Sequence, residues 1–503
     1  MRLGPETKKL QRNINDWLTE ILEGYKPRHI RDRKVIRDAV FGFNIFHKHE
    51  INILDNPLLQ RLRYIHQTAL ALHTYPTATH TRFEHSLGCV VVADRMMHAL
   101  NKKQATLPFD DIKMVEVRLA ALLHDCGHGP FSHASEFVYD TLSSELQNVR
   151  FEDWKTFGQA QGHEILSYFI VTSPRFHKLW EDICEQYDPS KEPLPCQLGQ
   201  VNFKRVGAII LGLPAKGYPK YVSEIINGPF DADKFDYIIR DGYFSGLVTT
   251  IDIDRLAVSL DLGTVSGTKP VLCIDLGGAT ILEQLLFNKM ILFSSMYHHH
   301  KVRASFRQLV RLFVTARDKR IKLGDEKLDN AVSFLRLDDY TAFSHALGHT
   351  KLKSLADDIR YRRLLKRALV IDRNTLCTPA SREKWIEYQA NLDKISQLEK
   401  EIASKAGIEK EDVCIDFPPE PRIYKTALHS MVRVAPGRPL VPLDKLYPVG
   451  GWMAGYEQYR FRSYIFAPAH LQKEVALAAV KVLRSHGIRL DDDLSKRLAK
   501  WVT

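Results

Sequence analysis

Residues 119–133, LAALLHDCGHGPFSH, restrict the fold and function of this chain more than any other stretch. An apolar run with helical spacing ends at the adjacent His124 and Asp125, and two glycines and a proline stop the helix there. His128 and His133 follow within two helical turns. A helix C-terminus with incidental histidines would explain a lone His-Asp pair, whereas this density of polar groups favours a functional site at the end of a buried helix.

Helical periodicity dominates the chain from about residue 56 to 211, after an alternating segment around Gly42 that predicts a short hairpin. A strand-like piece follows at 269–275, and the pattern predicts one long helix over 279–317. Beyond residue 411, strand-like segments precede a helix that ends at Gly487. We therefore predict a mainly α fold, with a helical core and a smaller α+β C-terminal region. The predicted divisions are an N-terminal docking helix at 1–33, the core at 34–380, a charged helical connector or exposed hairpin at 381–411, and the α+β region at 412–503.

The composition is that of a globular protein, because 45% of the 503 residues are hydrophobic and can form a large core. No apolar run could span a bilayer and no secretion signal is visible, which predicts a cytoplasmic protein without membrane partners. Seven cysteines without a CxxC pair favour reduced structural thiols. The net charge of +11 is spread along the chain, and it suits either nucleotide or nucleic-acid partners or a modestly basic surface.

Other histidines and aspartates with helical spacing are available to complete a site around His124 and Asp125. Upstream, Arg82 and His85 lie three residues apart in RFEH, on one helix face. Downstream, DADKFDYIIRD places carboxylates, a lysine and a tyrosine along one helix face, a pattern that by itself favours salt bridges. Mixtures of imidazole and carboxylate bind divalent cations and leave positions open for a phosphate and a water. Together, the three segments favour a metal-dependent phosphate site.

The blocks RFEHSLG, HDCGHGPFSH and DADKFDYIIRD resemble the HD superfamily of metal-dependent phosphohydrolases, and more narrowly its deoxynucleoside triphosphate triphosphohydrolase branch. The similarity in the order of these blocks and in their residues covers roughly residues 34–370, so the predicted core would be an HD phosphohydrolase core. The resemblance implies a divalent metal cofactor, with iron, manganese or magnesium suiting the donors better than zinc. The implied metal ligands are His85, His124, Asp125 and Asp233.

The resemblance also implies roles in catalysis and substrate binding. His128 would lie beside the α-phosphate and His133 would protonate the leaving 5′-oxygen. Glu136 stands where the family usually has an aspartate that orients this acid, which leaves the efficiency of the acid open. The implied contacts to the triphosphate and the sugar are Gln67, Thr68, Arg82, His163, Lys234, Tyr237, Asp241 and His298.

The sequence departs from the family pattern at the sugar edge. The register of HHHKV puts His298 where relatives have a tyrosine against the sugar C2′, with Tyr297 one residue earlier. Thr68 replaces an apolar residue at the same edge. Since a hydroxyl is weakly rejected without a steric wall, selection between deoxyribonucleotides and ribonucleotides stays open. The HHH run could alternatively be a second metal site, although adjacent helical side chains point in different directions.

A second set of residues resembles positions that bind activating nucleotides between subunits in allosteric members of the family. A solvated basic face is the alternative reading of these positions. The resemblance would link nucleotide binding to assembly of a homo-oligomer, either a dimer or a tetramer. The positions are Lys34, Val35, Asp55, Gln60, Arg63, Lys301, Arg362 and Lys366.

The leading hypothesis from the sequence is hydrolysis of deoxynucleoside triphosphates to deoxynucleosides and inorganic triphosphate, with a nucleotide activator as a further partner. Other enzyme readings are an HD phosphohydrolase of ribonucleoside triphosphates, monophosphates or cyclic nucleotides. An alternative hypothesis from a different functional class is an HD protein that senses nucleotides or binds nucleic acid. The Arg- and Lys-rich stretches near 303–322 and 359–367 support this alternative.

Overall fold

The computed structural model describes residues 4–31, 33–104, 108–187, 198–265, 270–418, 429–460 and 462–491. Helices predominate in these ranges, beside three small sheets, which confirms the predicted mainly α fold with a smaller mixed C-terminal region. The α-helices are Pro5–Ile21, Lys48–Leu54, Pro57–Gln60, Arg82–Lys103, Asp111–Leu123, His133–Glu136, Glu145–Glu152, Trp154–Phe157, Gly162–Val171, Pro174–Cys184, Phe203–Ile210, Lys220–Glu224, Ala232–Ser245, Ile253–Ser259, Ala279–Leu292, His300–Asp318, Ala331–Leu335, Asp339–Gly348, Thr350–Arg360, Pro379–Gln389, Leu392–Ala406, Leu443–Leu446, Val449–Arg460 and Gln472–Ser485. The strands are β1 (Lys34–Asp38), β2 (Gly42–Phe46), β3 (Leu260–Thr264), β4 (Pro270–Asp275), β5 (Lys366–Asp372), β6 (Cys414–Asp416), β7 (Met431–Arg433), β8 (Val441–Pro442) and β9 (Arg462–Ala467).

The N-terminal helix Pro5–Ile21 packs on the helical core. Its apolar residues, among them Leu10 and Ile14, recur at helical spacing and are buried. In its first turn, Thr7 donates to the Glu152 carboxylate from its backbone N–H at 2.9 Å and from its hydroxyl at 2.7 Å. This carboxylate satisfies a backbone donor that the start of a helix leaves free. Nowhere in the described ranges does a helix combine the length and the apolar composition needed to cross a membrane.

The predicted hairpin around Gly42 is confirmed, because β1 and β2 pair antiparallel with Asp38 opposite Gly42. Gly42 has a φ of +72°, in the left-handed region that glycine adopts without steric cost. The Asp38 carboxylate accepts from the backbone N–H groups of Val40 and Phe41 at 2.7 and 2.8 Å, which closes the turn.

The single long helix predicted over 279–317 is wrong, because two helices occupy this stretch. The helix Ala279–Leu292 passes into a π-turn at Phe293–Tyr297, and a new helix starts at His300. His299 is the N-cap of this second helix, where its ring accepts from a backbone N–H. Apolar spacing is helical on both sides of the turn, so periodicity does not reveal the break.

A second, smaller hydrophobic core lies in the C-terminal part of the chain. The sheet β5-β9-β6 is antiparallel throughout and packs on the helices Leu392–Ala406 and Gln472–Ser485. The indole of the buried Trp385 donates to the Ser463 hydroxyl on β9 at 2.7 Å, so the charge-rich stretch near 384–411 also contributes to this core. The strands predicted around KPVLCID and VCIDF are β4 and β6, and the C-terminal helix ends before Gly487 as predicted.

A buried ion pair fixes the helix that leads to His124. The Arg118 guanidinium, on the helix Asp111–Leu123, donates to both carboxylate oxygens of Glu50 at 2.6 and 2.8 Å, and it also pairs with Asp94 at 2.7 Å. Glu50 is fully buried. Burial alone would raise the pKa of Glu50, but the adjacent Arg118 lowers it to about 2. The pair therefore stays ionised at neutral pH.

We predict that Glu50→Gln destabilises the protein at pH 7 by about 3 kcal/mol, because Arg118 loses a buried counter-charge. The pKa of Glu50 is lower in the folded chain than in the unfolded chain, so its stabilisation is present above about pH 4.3 and is lost as the pH falls toward 2. The difference between wild type and variant in free energy of unfolding should therefore shrink below about pH 4. Urea denaturation at a series of pH values measures it.

The matched control is Asp182→Asn, which removes the solvent-exposed partner of Lys178 at 2.9 Å. This exposed pair should contribute less than about 1 kcal/mol. Equal losses in the two variants would contradict a structural role for the buried pair.

Candidate active site

Four side chains from three segments converge at the end of the helix Asp111–Leu123. His85 Nε2 lies 3.1 Å from Asp233 Oδ1, 3.3 Å from His124 Nε2 and 3.5 Å from Asp125 Oδ2. His124 Nε2 lies 3.5 Å from Asp125 Oδ1 and 3.8 Å from Asp233 Oδ1. The four residues named from the sequence as metal ligands therefore meet at one point.

The spacing of these atoms fits a metal ion. Ligand bonds of about 2.1 Å in a tetrahedral arrangement place the ligand atoms about 3.4 Å apart, close to the separations seen here. The donors are two imidazole nitrogens and two carboxylates, a mixture that suits iron or manganese and, with fewer direct bonds, magnesium. The Cys89 sulfur also lies near, 3.6 Å from the His85 ring nitrogens. Burial raises the pKa of this thiol in the absence of a metal, and a bound metal ion would act in the opposite direction.

A buried chain of charged groups orients His85. Its Nδ1 lies 2.6 Å from the Asp236 carboxylate, which pairs with the Arg240 guanidinium at 2.9 Å, and Arg240 in turn pairs with Asp38 of β1 at 2.9 Å. The Asp236 carboxylate accepts a hydrogen bond from Nδ1–H, so the Nε2 lone pair points toward His124 and Asp233. Gly88 makes room for the chain, because a Cβ at this position would lie 1.7 Å from Asp236 Oδ1.

His124 and Asp125 are held in a similar way. His124 Nδ1 lies 2.8 Å from the Ala121 carbonyl oxygen, which fixes the tautomer with a lone pair on Nε2. The Arg82 guanidinium donates to Asp125 Oδ2 at 2.7 Å. Burial alone would raise the pKa of Asp125, but Arg82, His124 and His128 hold it well below its usual range. Asp125 is therefore an ionised carboxylate inside a buried site.

Arg61 supports the loop that follows Asp125, and sequence reasoning did not assign it. Its Nη2 donates to the backbone carbonyls of His128 at 2.6 Å and Cys126 at 3.3 Å. Its guanidinium lies 5.5 Å from the ring centroid of Trp17 on the N-terminal helix. The N-terminal helix is thereby connected to the loop that carries His128.

Next to the metal ligands, three histidines surround one carboxylate. Glu136 accepts from His133 Nδ1 at 2.6 Å and from His163 Nδ1 at 2.8 Å. Its longer side chain still orients His133, the role implied for the family's aspartate. The His133 side chain is 58% exposed, so it faces the solvent where a substrate would enter. The Glu136 carboxylate outweighs the burial of His163 and raises the pKa of His163 to about 9.

His128 is buried between these groups, with its ring stacked on His163 at a centroid distance of 3.9 Å. Neither ring nitrogen has a hydrogen-bond partner among the described residues, although Nε2 lies 3.4 Å from Asp125 Oδ1. Burial and the nearby charges of Arg82 and His163 hold the pKa of His128 well below its usual range. A neutral imidazole with unsatisfied nitrogens can bond a ligand placed here.

A third group of polar side chains surrounds Asp241, on the same helix as Asp233. Asp241 lies 2.7 Å from His80 Nε2 and accepts from the Tyr297 hydroxyl. The backbone N–H of Gln67 donates to the backbone carbonyl of His80 at 3.0 Å. This bond places Gln67 beside Asp241 and His80. The side-chain oxygens of Gln67 and Thr68 are buried without a partner in the described part of the chain. This edge therefore offers free acceptors and a donor to a bound sugar.

The structure places Tyr297, and not His298, at Asp241. The His298 ring packs edge-on against Phe293 at 5.3 Å. The π-turn Phe293–Tyr297 adds one residue to the helical register. Tyr297, which precedes the expected His298, therefore faces the site.

Two other predicted substrate residues lie on the helix Ala232–Ser245. Lys234 donates to the Asp231 carboxylate at 2.5 Å and to the Gly228 carbonyl at 2.9 Å, beside the candidate metal ligand Asp233. Burial and the surrounding carboxylates raise the pKa of Tyr237, which keeps its phenol protonated.

The predicted activator residues fall into two groups. In the first, Lys34 lies 3.9 Å from Asp55, and Arg63 donates to Gln60 at 2.9 Å, while Val35 on β1 is 61% exposed. The second group lies at the start of the helix His300–Asp318 and of β5. There burial lowers the pKa of His300, with further lowering by Arg367, Lys301 and Lys366, and Arg362 donates to the His73 carbonyl at 2.6 Å. The structure therefore places Lys34 near Asp55, Arg63 beside Gln60, and Lys301 and Lys366 both near His300.

Several residues of the site were not assigned from the sequence, namely Asp38, Arg61, His80, Asp236, Arg240 and Tyr297. Asp236 and Arg240 follow Asp233 at three and seven residues, so helical spacing could have indicated them. Asp38 is far away in sequence, and no local pattern connects it to His85.

Comparisons with known proteins agree with this geometry. Residues 82–225 match the model of the HD domain and residues 251–492 match that of the HD associated region. An uncharacterized protein of Methanocaldococcus jannaschii is 26% identical over 93% of this chain and 88% of its own length. A solved hypothetical protein from Aquifex aeolicus is 24% identical and has the same fold, with a TM-score of 0.62 over 89% of this chain and 99% of the other.

Two further relatives have names that state an activity. Deoxynucleoside triphosphate triphosphohydrolase SAMHD1 of Homo sapiens is 31% identical over 45% of this chain, and its homolog in Dictyostelium discoideum is 26% identical over 61%. The matches span only 36% and 54% of the lengths of those two relatives. The two family models cover most of the chain and include His85, His124 and Asp125, whereas Asp233 lies between the two matched ranges. The chain belongs to the HD superfamily, with an HD domain followed by an HD-associated region.

Proposed function

We propose that this HD phosphohydrolase cleaves deoxynucleoside triphosphates to deoxynucleosides and inorganic triphosphate. The observation that carries the proposal is the convergence of His85, His124, Asp125 and Asp233 beside the row of His128, His163 and His133. The names of the Homo sapiens and Dictyostelium discoideum relatives support the substrate class. In this proposal the cofactor is iron, manganese or magnesium.

The chemistry divides between a metal ion and the side chains of this chain. When bound, a divalent cation supplies Lewis acidity and lowers the pKa of the attacking water. Asp125, kept ionised by Arg82, and Asp233 provide negative charge for the cation. His128 and His163 face the phosphates, the first as a neutral hydrogen-bonding group and the second as a cation.

The leaving group requires a proton, and His133 is placed to give it. The acid in this proposal is the imidazolium form of His133, in which Nδ1–H bonds the Glu136 carboxylate and Nε2–H gives its proton to the departing 5′-oxygen, leaving a neutral imidazole. Glu136 also holds His163, so a single carboxylate positions the acid and a phosphate contact together.

The sugar is bound at the opposite edge in this proposal. Gln67 and Asp241 bond the 3′-hydroxyl, and Tyr297 takes the position against C2′ that the sequence register assigned to His298. A rigid ring at C2′ leaves no room for a ribose hydroxyl, so the deoxyribonucleotide is preferred.

The activator proposal rests on the two surface groups around Lys34 and Lys301. Both groups contain cationic side chains, Lys34 in one and Lys301 in the other, and such cations suit the phosphates of a nucleotide bound between subunits of a homo-oligomer. A nucleotide that binds the assembly more tightly than the free subunit shifts the equilibrium toward the assembly.

We predict that the double substitution His124→Ala and Asp125→Ala lowers dNTP hydrolysis at least about 1000-fold, because metal-ion catalysis contributes several kcal/mol. The assay incubates the protein with Mn²⁺ or Mg²⁺ and each dNTP, with and without a second nucleotide, and separates the products by chromatography. The expected products are deoxynucleoside and triphosphate. Asp182→Asn, at the exposed pair with Lys178, is the control. Release of pyrophosphate and monophosphate by the wild type would overturn the proposed reaction.

The substitution Asp236→Asn tests the buried chain behind His85. We expect metal affinity to fall about 10- to 100-fold, because the second partner of a ligating histidine sets its orientation and basicity. Metal content after dialysis against buffered Mn²⁺ measures the change. Glu401→Gln is the control, since Glu401 also holds a histidine, His486, at 2.6 Å but lies, partly exposed, on the helix Leu392–Ala406 in the C-terminal region. Equal metal content in the two variants would count against the role of Asp236.

Tyr297→Ala tests the sugar edge. The ratio of kcat/KM for dATP to that for ATP should fall about tenfold or more, since removal of the ring makes space for a 2′-hydroxyl. His298→Ala is the neighbouring control and should keep a ratio near that of the wild type, because its ring packs on Phe293. A lower ratio in His298→Ala and an unchanged ratio in Tyr297→Ala would instead support His298 as the residue against the sugar C2′.

A further inference from the structure

The π-turn that positions Tyr297 is held from two sides by tyrosine hydroxyls. The last turn of a helix leaves backbone carbonyls without their usual helical partners, and the helix Ala279–Leu292 ends in this π-turn. The Ser295 carbonyl accepts from the hydroxyl of Tyr75, which precedes the residues matched to the HD domain. The His298 carbonyl accepts from the hydroxyl of Tyr464 on β9, at 3.1 Å. The second contact comes from the C-terminal sheet, more than 160 residues further along the chain.

The C-terminal sheet contacts the same region through a second side chain. Asp416 on β6 pairs with Tyr464 across the strands. The buried Asp416 carboxylate accepts from the Arg303 guanidinium at 2.9 and 2.7 Å. Tyr464 also packs on Ala304, one residue further along the same helix. Neighbouring residues of the sheet therefore hold both the helix His300–Asp318 and the turn that precedes it.

The hydroxyl of Tyr464 contacts the residue that directly follows Tyr297, the tyrosine at the sugar edge. It bonds the carbonyl of His298, and the preceding residue, Tyr297, places its own hydroxyl on Asp241. The amide of His298 bonds the Phe293 carbonyl at 2.9 Å and closes the π-turn. The peptide group after His298 is thus fixed at its oxygen by the C-terminal sheet, and the orientation of the Tyr297 ring depends on this turn.

We propose that Tyr464 is a positioning residue for Tyr297, through which the C-terminal sheet sets the selection between deoxyribonucleotides and ribonucleotides. This inference rests on the proposed function for the role of the sugar edge. A steric wall rejects a hydroxyl only if it resists displacement, and a turn held at both carbonyls resists displacement more than a turn held at one. Loss of the Tyr464 hydroxyl frees the turn to move away from a 2′-hydroxyl.

The substitution Tyr464→Phe removes this hydroxyl and keeps the ring that packs on Ala304. The ratio of kcat/KM for dATP to that for ATP should fall about 2- to 10-fold, the range that corresponds to loss of one hydrogen bond. The change should come mainly from faster use of ATP, whereas a general loss of structure would lower both rates together. Hydrogen exchange of a peptide that covers residues 293–300 should also become faster in the variant.

Tyr388→Phe is the matched control, because the Tyr388 hydroxyl bonds His486 at 2.8 Å in the same C-terminal module but away from the turn. It should leave both the ratio and the exchange of the turn unchanged. The same ratio in both variants, or unchanged exchange of the turn in Tyr464→Phe, would overturn the inference.

Nucleotide binding separates this inference from the proposed function. Dissociation constants for dATP and ATP, measured by calorimetry, should show the same loss of preference in Tyr464→Phe. A wild type that binds both nucleotides without hydrolysing them would overturn the proposed reaction alone, since the ratio of dissociation constants still tests the sugar edge. A wild type that binds neither would overturn both.

Discussion

The buried chain His85, Asp236, Arg240 and Asp38 is the interaction on which the site depends most. It joins the helix Arg82–Lys103, the helix Ala232–Ser245 and β1, so the ligands His85 and Asp233 keep a fixed separation. Burying four ionisable groups is costly unless each has a partner, and here each charge meets its opposite. The absence of a side chain at Gly88 is part of the same arrangement.

Around that chain of charged residues, the surroundings of each side chain determine whether it is charged or neutral. Asp125 and Glu136 are held ionised by cationic neighbours, and His128 is kept neutral by burial next to cations. One site therefore contains ionised carboxylates, a neutral imidazole and a histidine supported by a carboxylate, the three kinds of group that the proposed reaction uses. Each role follows from what the side chain contacts, since the residue types alone are histidines and carboxylates.

The sequence was sufficient for the parts of the site that lie in short helical motifs. His85, His124, Asp125 and Asp233 could be named because each stands at a helix segment with a recognisable local pattern, and the structure brings them together. Asp38 could not, since it reaches Arg240 only through the folding of a distant hairpin. The break at Phe293–Tyr297 was missed because apolar spacing continues across it. The family register of HHHKV assigned His298 to the sugar edge, whereas the structure brings the Tyr297 hydroxyl to Asp241. Tyr464 depends on packing between two cores and has no local signal at all.

The π-turn also affects where the sequence can accept an insertion during evolution. The metal-site residues sit on helices tied together by buried ion pairs, where an insertion would rotate every later side chain by about 100°. A π-turn absorbs one residue locally, and the next helix starts afresh at its own cap. The proposed sugar contact thus lies on a segment that tolerates insertion, while the candidate metal ligands lie on segments that do not.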